Sequence, residues 1–185
     1  MSVLCYWSRD GRYLLFRAFK AGPTPNADIW ALPLDGDGKP LPVLRTRFEE
    51  RDAQFSPDGK WIAYHSNDSG QHEVYVQPFH GPGERVRIST AGGVQARWRE
   101  DGRELFYLTL DGQLFAVPMA VRAGGLAVQP GPAVPLFRAQ VGTVRDIARH
   151  NYIVASNGQR FMIDAVVEQP AAPISLIVNW KPPEE

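Results

Sequence analysis

The sequence predicts an all-β protein built like a β-propeller, with about four blades of four-stranded antiparallel sheet and an incomplete last blade. Two observations carry this prediction. A ten-residue phrase recurs along the chain, as WSRDGRYLLF (7–16), FSPDGKWIAY (55–64), WREDGRELFY (98–107) and VASNGQRFMI (154–163). The 16 prolines and 17 glycines are spread evenly, which suits many short strands joined by turns.

The composition bounds the class of protein. The 185 residues suffice for one domain with a core, and 44% of them are apolar. The formal net charge is zero and no basic stripe occurs, so we expect no nucleic-acid partner. No apolar run approaches the length of a membrane span, so we expect no membrane contact within this chain. No secretory h-region is recognisable in the first residues, so we expect no signal peptide in this chain. Cys5 is the single cysteine, and its apolar surroundings predict a buried, unreactive thiol.

The first two strands of each unit flank the recurring Asp-Gly or Asn-Gly turn, because glycine supplies the positive φ that such a turn needs. The second strand carries apolar residues on both faces, Leu15 and Phe106 among them, which predicts protein packed on both sides of the sheet. The turn glycines are Gly11, Gly59, Gly102 and Gly158, spaced 48, 43 and 56 residues apart, and the first strand is predicted to end at Trp7, Phe55, Trp98 and Val154.

The outer strands of each unit follow at variable distance. A third strand is expected to end near a proline that recurs as Pro33, Pro78 and Pro118, because proline cannot donate to a ladder. The predicted third strands are 29–34, 74–79 and 114–119, the weaker fourth strands are 42–46, 86–90 and 133–139, and the four units span 1–47, 48–91, 92–140 and 141–185.

The stretch FSPDGKWIAYHSNDSGQHEVYVQPF (55–79) resembles the TolB-type propeller repeat of bacteria. The tail GQRFMI…PISLIVNW resembles the end of propellers fused behind bacterial serine/threonine protein kinases. The resemblance implies a binding or sensing module of a larger bacterial protein, with a periplasmic or extracytoplasmic parent. Related blades also precede the hydrolase domain of prolyl-oligopeptidase-like enzymes, but this chain has no kinase motif and no G-x-S-x-G elbow.

TolB-type propellers usually have about six or more blades, whereas about four are recognisable here. An open stack of blades exposes apolar faces and strand edges, which favours association. We therefore expect a homodimer that covers the open blade faces, with a compact four-bladed ring as the alternative.

The starts of the inner strands line the central channel of a propeller. Gln95, Arg97 and Arg99 are therefore candidate residues for binding a peptide or a small anion in such a channel. We expect a protein or peptide partner. The mixed-charge run RTRFEERD (45–52) is interpreted as a solvated connection between units.

The hairpin after the second strand of the second unit contains side chains of the types that bind metals or catalyse hydrolysis. His65, Asp68 and His72 are the residue types of a metal site, and Ser66 and Ser69 add those of a hydrolytic triad. A flexible hairpin tip does not supply a fixed base and an oxyanion hole, so these are best interpreted as hairpin residues. We expect no metal and no cofactor.

The acidic residues in turns are interpreted as residues that stabilise the turns and not as ligands. Asp35 and Asp37 in LDGDGKP suggest a calcium loop, but the remaining ligands are not in register, which favours a polar turn. Asp10, Asp58 and Asp101 recur in the same turn of successive units, where their side chains are expected to accept backbone hydrogen bonds.

The sequence as a whole favours a non-catalytic β-propeller module that binds a protein, a peptide or a small ligand. The alternative is an esterase-type serine hydrolase carried on the same scaffold, with Ser66, Ser69, His65, His72 and Asp68 as the candidate residues.

Overall fold

A computed structural model describes residues 2–19, 27–122, 127–141 and 150–165, with side chains from residue 6 onward. These ranges contain only β-strands and turns, and within them no helix is long and apolar enough to cross a membrane. The strands form three antiparallel sheets and one two-stranded hairpin. The predicted all-β class is therefore confirmed.

The sheets follow one another along the chain, and within each sheet consecutive strands pair with each other, except that the fifth strand of the third sheet pairs with the third strand of that sheet. Sheet 1 contains β1 (Ser2–Trp7), β2 (Tyr13–Phe19), β3 (Ala27–Pro33) and β4 (Leu41–Leu44). Sheet 2 contains β5 (Glu50–Phe55), β6 (Trp61–Ser66), β7 (Glu73–Pro78) and β8 (Val86–Arg87). Sheet 3 contains β9 (Val94–Trp98), β10 (Glu104–Leu108), β11 (Gln113–Val121), β12 (Val128–Pro130) and β13 (Val134–Arg138), and sheet 4 contains β14 (Tyr152–Val154) and β15 (Phe161–Ile163).

The recurring phrase forms the turn between the first two strands of every sheet. In sheet 2, Gly59 has a φ of 70° and donates its N–H to the carbonyl of Ser56 at 2.9 Å. The Asp58 carboxylate accepts the N–H of Lys60 at 3.2 Å and the hydroxyl of Ser56 at 2.6 Å. This is the expected turn role of the aspartate. The inner strands end at Trp7, Phe55, Trp98 and Val154, as predicted.

The recurring proline behaves differently in sheet 3. Pro33 and Pro78 end β3 and β7 as expected, but β11 continues through Pro118 to Val121. The reason is that β11 changes its outer partner there: β13 pairs with residues 113–116 and β12 pairs with residues 119–121. Pro118 lies between the two ladders, where its missing N–H breaks no outer-strand bond. Strand β12 was not predicted.

The four sheets stack face to face, and three apolar clusters lie between successive sheets. Leu15 and Phe106, at the centres of β2 and β10, are 0% and 1% exposed. The predicted packing on both sides is confirmed for sheet 3, whereas the described residues cover sheet 1 on the face toward sheet 2. The same expectation fails in sheet 4, where Met162 is 72% exposed because no described sheet covers that face. The Cys5 side chain and the segments 123–126 and 166–185 lie outside the described residues.

Candidate functional site

The inner strands of sheets 2 and 3 each contain a bulge at a polar residue. Asp52 and Gln95, each three positions before the aromatic end of its strand, have φ values of 50° and 55°. The pairing register shifts at both places, as expected where one strand carries an extra residue. Positive φ is uncommon for residues other than glycine and is often found at functional sites.

A buried ion pair joins these two strands at the axis. The Arg97 side chain is 8% exposed, and its Nη1 lies 3.0 Å from Oδ2 of Asp52. The same Nη1 donates to the carbonyl of Ala96 at 2.6 Å. Burial opposes the charge of Arg97, yet Asp52, Tyr152 and Tyr6 together outweigh it and raise the pKa of the guanidinium above its ordinary value. Arg97 is therefore a fixed cation at this site.

His150 completes the cluster from the segment that precedes sheet 4. Its Nδ1 contacts Nη2 of Arg97, and its Nε2 lies 3.5 Å from Oδ1 of Asp52. Burial lowers the pKa of His150, the charge of Arg97 lowers it further, and Asp52 acts in the opposite direction. A neutral imidazole fits this arrangement, with Nδ1 accepting from Arg97 and the Nε2 hydrogen directed at Asp52.

Gln95 serves a different purpose from Arg97. Its Nε2 donates to the side-chain oxygen of Asn151 at 2.8 Å, and its Oε1 accepts the N–H of Asn151 at 2.9 Å. Its main-chain carbonyl accepts the hydroxyl of Tyr152 at 2.8 Å. Gln95 therefore links sheet 3 to sheet 4 through its hydrogen bonds with Asn151 and Tyr152.

A cavity of about 470 Å³ lies in front of this cluster, where the inner strands of all four sheets converge. Its floor holds Arg97, Asp52 and His150, and apolar side chains such as Phe55 and Ile153 line its walls. Its rim is made by the second residue of each repeated turn: Arg9, Pro57, Glu100 and Ser156. We call this space the axial cavity.

An ion pair crosses the rim of the axial cavity. Arg9, in the turn of sheet 1, contacts the carboxylate of Glu100, in the turn of sheet 3, and donates to the Glu100 carbonyl at 3.2 Å. Pro57 lies in the turn of the intervening sheet and also lines the cavity. Both charged side chains are about half exposed, at 56% and 44%, so this contact is of the weak, solvated kind.

The structure separates the three residues expected to line the channel. Arg97 lines the axial cavity, whereas Gln95 is bonded to Asn151 and does not line it. Arg99 does not line the cavity, because its guanidinium is bound within its own turn, at 2.5 Å from Asp101 and 2.8 Å from Glu104.

Two of the candidate metal and hydrolase residues, His65 and Ser66, end β6 and are 1% and 0% exposed, so they are buried strand residues and the interpretation as hairpin residues is wrong for them. The rings of His65 and His72 do meet, at 5.3 Å between centroids, but Asp68 pairs with Arg85 at 2.5 Å. Ser69 donates to the carbonyl of Gln71 at 3.2 Å. The hydrogen bonds found for the described residues include none between Ser66 or Ser69 and either histidine. Across the same residues, no group of three or more potential ligands converges on a metal position.

The acidic loop of sheet 1 is a polar turn. Asp37 pairs with Lys39 at 2.8 Å, and Asp35 lies 3.6 Å from Arg12. All four side chains are more than half exposed, so the contacts are solvated.

Asp52 and His150 were missed by the sequence reasoning. The run 45–52 was interpreted as a solvated connection, but Glu50 begins β5 and the Asp52 side chain is only 13% exposed. A signal existed in the repeat frame. Aligning DAQF (52–55) with QARW (95–98) and NYIV (151–154) places a polar residue at the same point of three inner strands.

Comparison with solved structures supports the fold. The chain is similar to TolB from Acinetobacter baumannii, with a TM-score of 0.58 and 19% identity over 84% of this chain and 35% of that one. A TolB-type protein of Agrobacterium tumefaciens gives a TM-score of 0.55 and 19% identity over 73% and 50%. The periplasmic gluconolactonase of Pseudomonas aeruginosa gives 0.52 and 18% over 84% and 48%.

These comparisons confirm a TolB-like propeller fold. No protein-family model matches the chain, and no curated protein matches it. The chain spans between about a third and a half of the length of the solved structures that it resembles.

Proposed function

We propose that the chain is a non-catalytic binding module that holds a peptide segment of a partner protein in the axial cavity. The observation that supports this proposal is the cavity itself, where a buried, permanently charged Arg97 meets apolar walls. A volume of about 470 Å³ is typical of cavities that hold a ligand. A few fixed polar groups among apolar surfaces give orientation and specificity to a bound ligand.

The charges of the floor favour a ligand that is polar without a large net charge. Arg97 and Asp52 compensate each other, and a neutral His150 adds no charge. A peptide group carries a carbonyl acceptor and an N–H donor, and so can satisfy both sides of this cluster at once. The apolar walls, Phe55 and Ile153 among them, would bury an adjacent side chain.

The test is selection of peptide ligands on the folded chain, followed by comparison of two matched variants. Arg9 and Arg12 are exposed arginines of the same turn, but only Arg9 lines the axial cavity. Peptides enriched from a random displayed library are expected to bind Arg12→Ala as they bind the parent chain, and Arg9→Ala more weakly. Ser156→Trp, which fills the rim, is expected to abolish binding. Peptides that bind all these variants equally would contradict the proposal, as would a library from which none is enriched.

A second candidate is hydrolysis of an ester or lactone. A gluconolactonase is among the solved structures of similar fold, and His150 lies in the axial cavity with a lowered pKa that leaves it neutral. Against it stands the geometry of His150, since one ring nitrogen faces Arg97 and the other faces Asp52. Turnover of p-nitrophenyl acetate or gluconolactone that is lost in His150→Gln would establish this candidate; equal rates in both proteins would remove it.

We also propose that two copies associate through the face of sheet 4 that no described sheet covers. Met162 on this face is 72% exposed, and its cross-strand partner Ile153, which also lines the axial cavity, is 55% exposed. Burial of such apolar side chains favours association. Light scattering after size exclusion is expected to show a dimer that Met162→Lys disrupts and that the control Leu110→Lys, at an exposed turn of sheet 3, does not. A monomer at all concentrations would overturn this part of the proposal.

A further inference from the structure

A second cavity, of about 340 Å³, lies between the turns of sheets 2 and 3 on the outer side of the axial cavity. Its inner surface is apolar, with Trp61, Trp98, Met119 and Val128 each less than 10% exposed. Val121 lies at its opening and is 56% exposed. We call this space the indole groove.

Trp98, which lines the indole groove, carries a hydrogen-bond donor that the described residues leave without an acceptor. Trp98 is 9% exposed, and its Nε1 is buried with no acceptor in the part of the chain that is described. A buried N–H without an acceptor is costly, and such groups are rare in folded proteins. An oxygen atom of a bound ligand would remove this cost.

Carboxylates surround the opening of the groove, and two of them are already neutralised. Glu100 pairs with Arg9, and Asp101 pairs with Arg99 at 2.5 Å. The Arg99 side chain holds the pKa of Asp101 well below its usual range, so this ion pair persists across the physiological pH range.

Asp58 is the carboxylate with charge left over. Its Oδ1 accepts the Ser56 hydroxyl and the Lys60 N–H, at 2.6 Å and 3.2 Å. No side-chain cation pairs with Asp58 in the described ranges, and Asp58 lines the groove together with Trp61 and Trp98. A carboxylate next to aromatic faces is the chemistry that attracts an organic cation.

We propose that the indole groove binds a basic side chain of a peptide. The peptide carbonyl of that residue accepts the Trp98 Nε1 hydrogen. The aliphatic stem packs against Met119 and Val128, and the cationic end lies at Asp58. A long side chain with an apolar stem and a charged tip matches a groove that is apolar inside and acidic at its opening. The groove adjoins the axial cavity and shares Trp98 with its lining, but Asp58, Met119 and Val128 line the groove alone, so the inference does not depend on a ligand of the axial cavity.

The experiment is an NMR titration of the full chain with two probes, N-acetyl-lysine methylamide and N-acetyl-norleucine methylamide. Their acetyl and methylamide groups leave the backbone without charge. The probes share the backbone amides and nearly the same stem, and only the lysine probe carries a cation. Of the five tryptophan indole N–H signals, those of Trp61 and Trp98 come from residues that line the groove, and Trp98→Phe identifies the Trp98 signal. We expect the lysine probe to shift that signal downfield and to bind roughly threefold to tenfold more tightly than norleucine.

The matched variants are Asp58→Asn and Asp10→Asn. Asp10 has the same bonds in the turn of sheet 1, to Ser8 and Arg12, but does not line the groove. Asparagine suits this turn, since Asn157 fills the same position in sheet 4 and accepts the N–H of Gln159 at 3.0 Å. Asp58→Asn is expected to bring the two probes to equal affinity, and Asp10→Asn to leave the preference intact.

Three results would overturn the inference. The first is a Trp98 indole signal that does not move with the lysine probe. The second is equal affinity of the parent chain for the two probes, which would make the groove merely apolar. The third is an equal loss of preference in Asp10→Asn, which would assign the effect to general charge. Binding that weakens as salt is raised, for the lysine probe alone, would add support.

Discussion

Acidification is expected to destabilise this protein through His65. The side chain is 1% exposed, and its Nδ1 accepts the N–H of Gln95 at 3.5 Å. Burial lowers the pKa of His65 to about 3; His72, Arg51 and Arg97 act in the same direction, and Asp52 opposes them. The histidine is therefore neutral in the folded protein at pH values well above 3.

The sign and size of the effect follow from proton linkage. In the unfolded chain His65 titrates near its ordinary pKa of about 6.5, so between pH 6.5 and 3 the unfolded state binds more protons. Stability is then full above pH 6.5 and is lost as the pH falls through this window. Lowering the pH from about 7 to about 5 should remove about 2 kcal/mol of unfolding free energy through this residue.

Urea unfolding at the two pH values, followed by tryptophan fluorescence, measures this loss. His65→Gln has no titrating group at this position, so its loss between the two pH values should be about 2 kcal/mol smaller than in the parent chain. His80→Gln is the control, since His80 is exposed. Equal pH dependence of the parent chain and His65→Gln would refute the reasoning. If His65→Gln does not fold, direct NMR titration of the His65 ring in the parent chain replaces it, and a measured pKa near 6.5 would refute the reasoning equally.

Three further predictions concern stability. Gly59→Ala is expected to lower thermal stability by about 1 kcal/mol, because the φ of 70° strains a residue with a Cβ although no atom lies within 4 Å; Gly59→Asn should lose less. Arg97→Met is expected to cost about 3 kcal/mol in urea unfolding because it removes the guanidinium that pairs with the largely buried Asp52, and the double variant with Asp52→Asn should cost less than the sum of the two. Ser56→Ala should cost about 1 kcal/mol through two lost hydrogen bonds, whereas Ser69→Ala at the exposed hairpin tip should be nearly neutral in the same assay.

The turns of this fold were predictable because their determinants are local. Asp58 and Gly59 act on residues within a few positions of themselves, so the repeated phrase is enough to place the ends of β1, β5, β9 and β14. The exception, Pro118, depends on which outer strand pairs with β11. That choice involves residues beyond the third strand, which no local pattern contains.

The cluster of Arg97, Asp52 and His150 was only partly predictable, because its members come from distant parts of the sequence. Arg97 was recognised because it lies on an inner strand directly before Trp98, one of the recurring aromatic residues. Its partners Asp52 and His150 lie 45 and 53 positions away in sequence. Asp52 was hidden in a run of mixed charge, and only a bulge turns it toward the axis. Bulges are not visible in an alternation pattern, since they interrupt it.

The rim of the axial cavity also indicates how this protein could be diversified. In each repeated turn the aspartate or asparagine and the following glycine maintain the backbone, whereas the residue before them is arginine, proline, glutamate or serine. Folding thus leaves one side chain per repeat nearly unconstrained, and all four of these positions face the same opening. Combinatorial randomisation of Arg9, Pro57, Glu100 and Ser156 should therefore yield libraries that keep their scaffold while sampling new specificities.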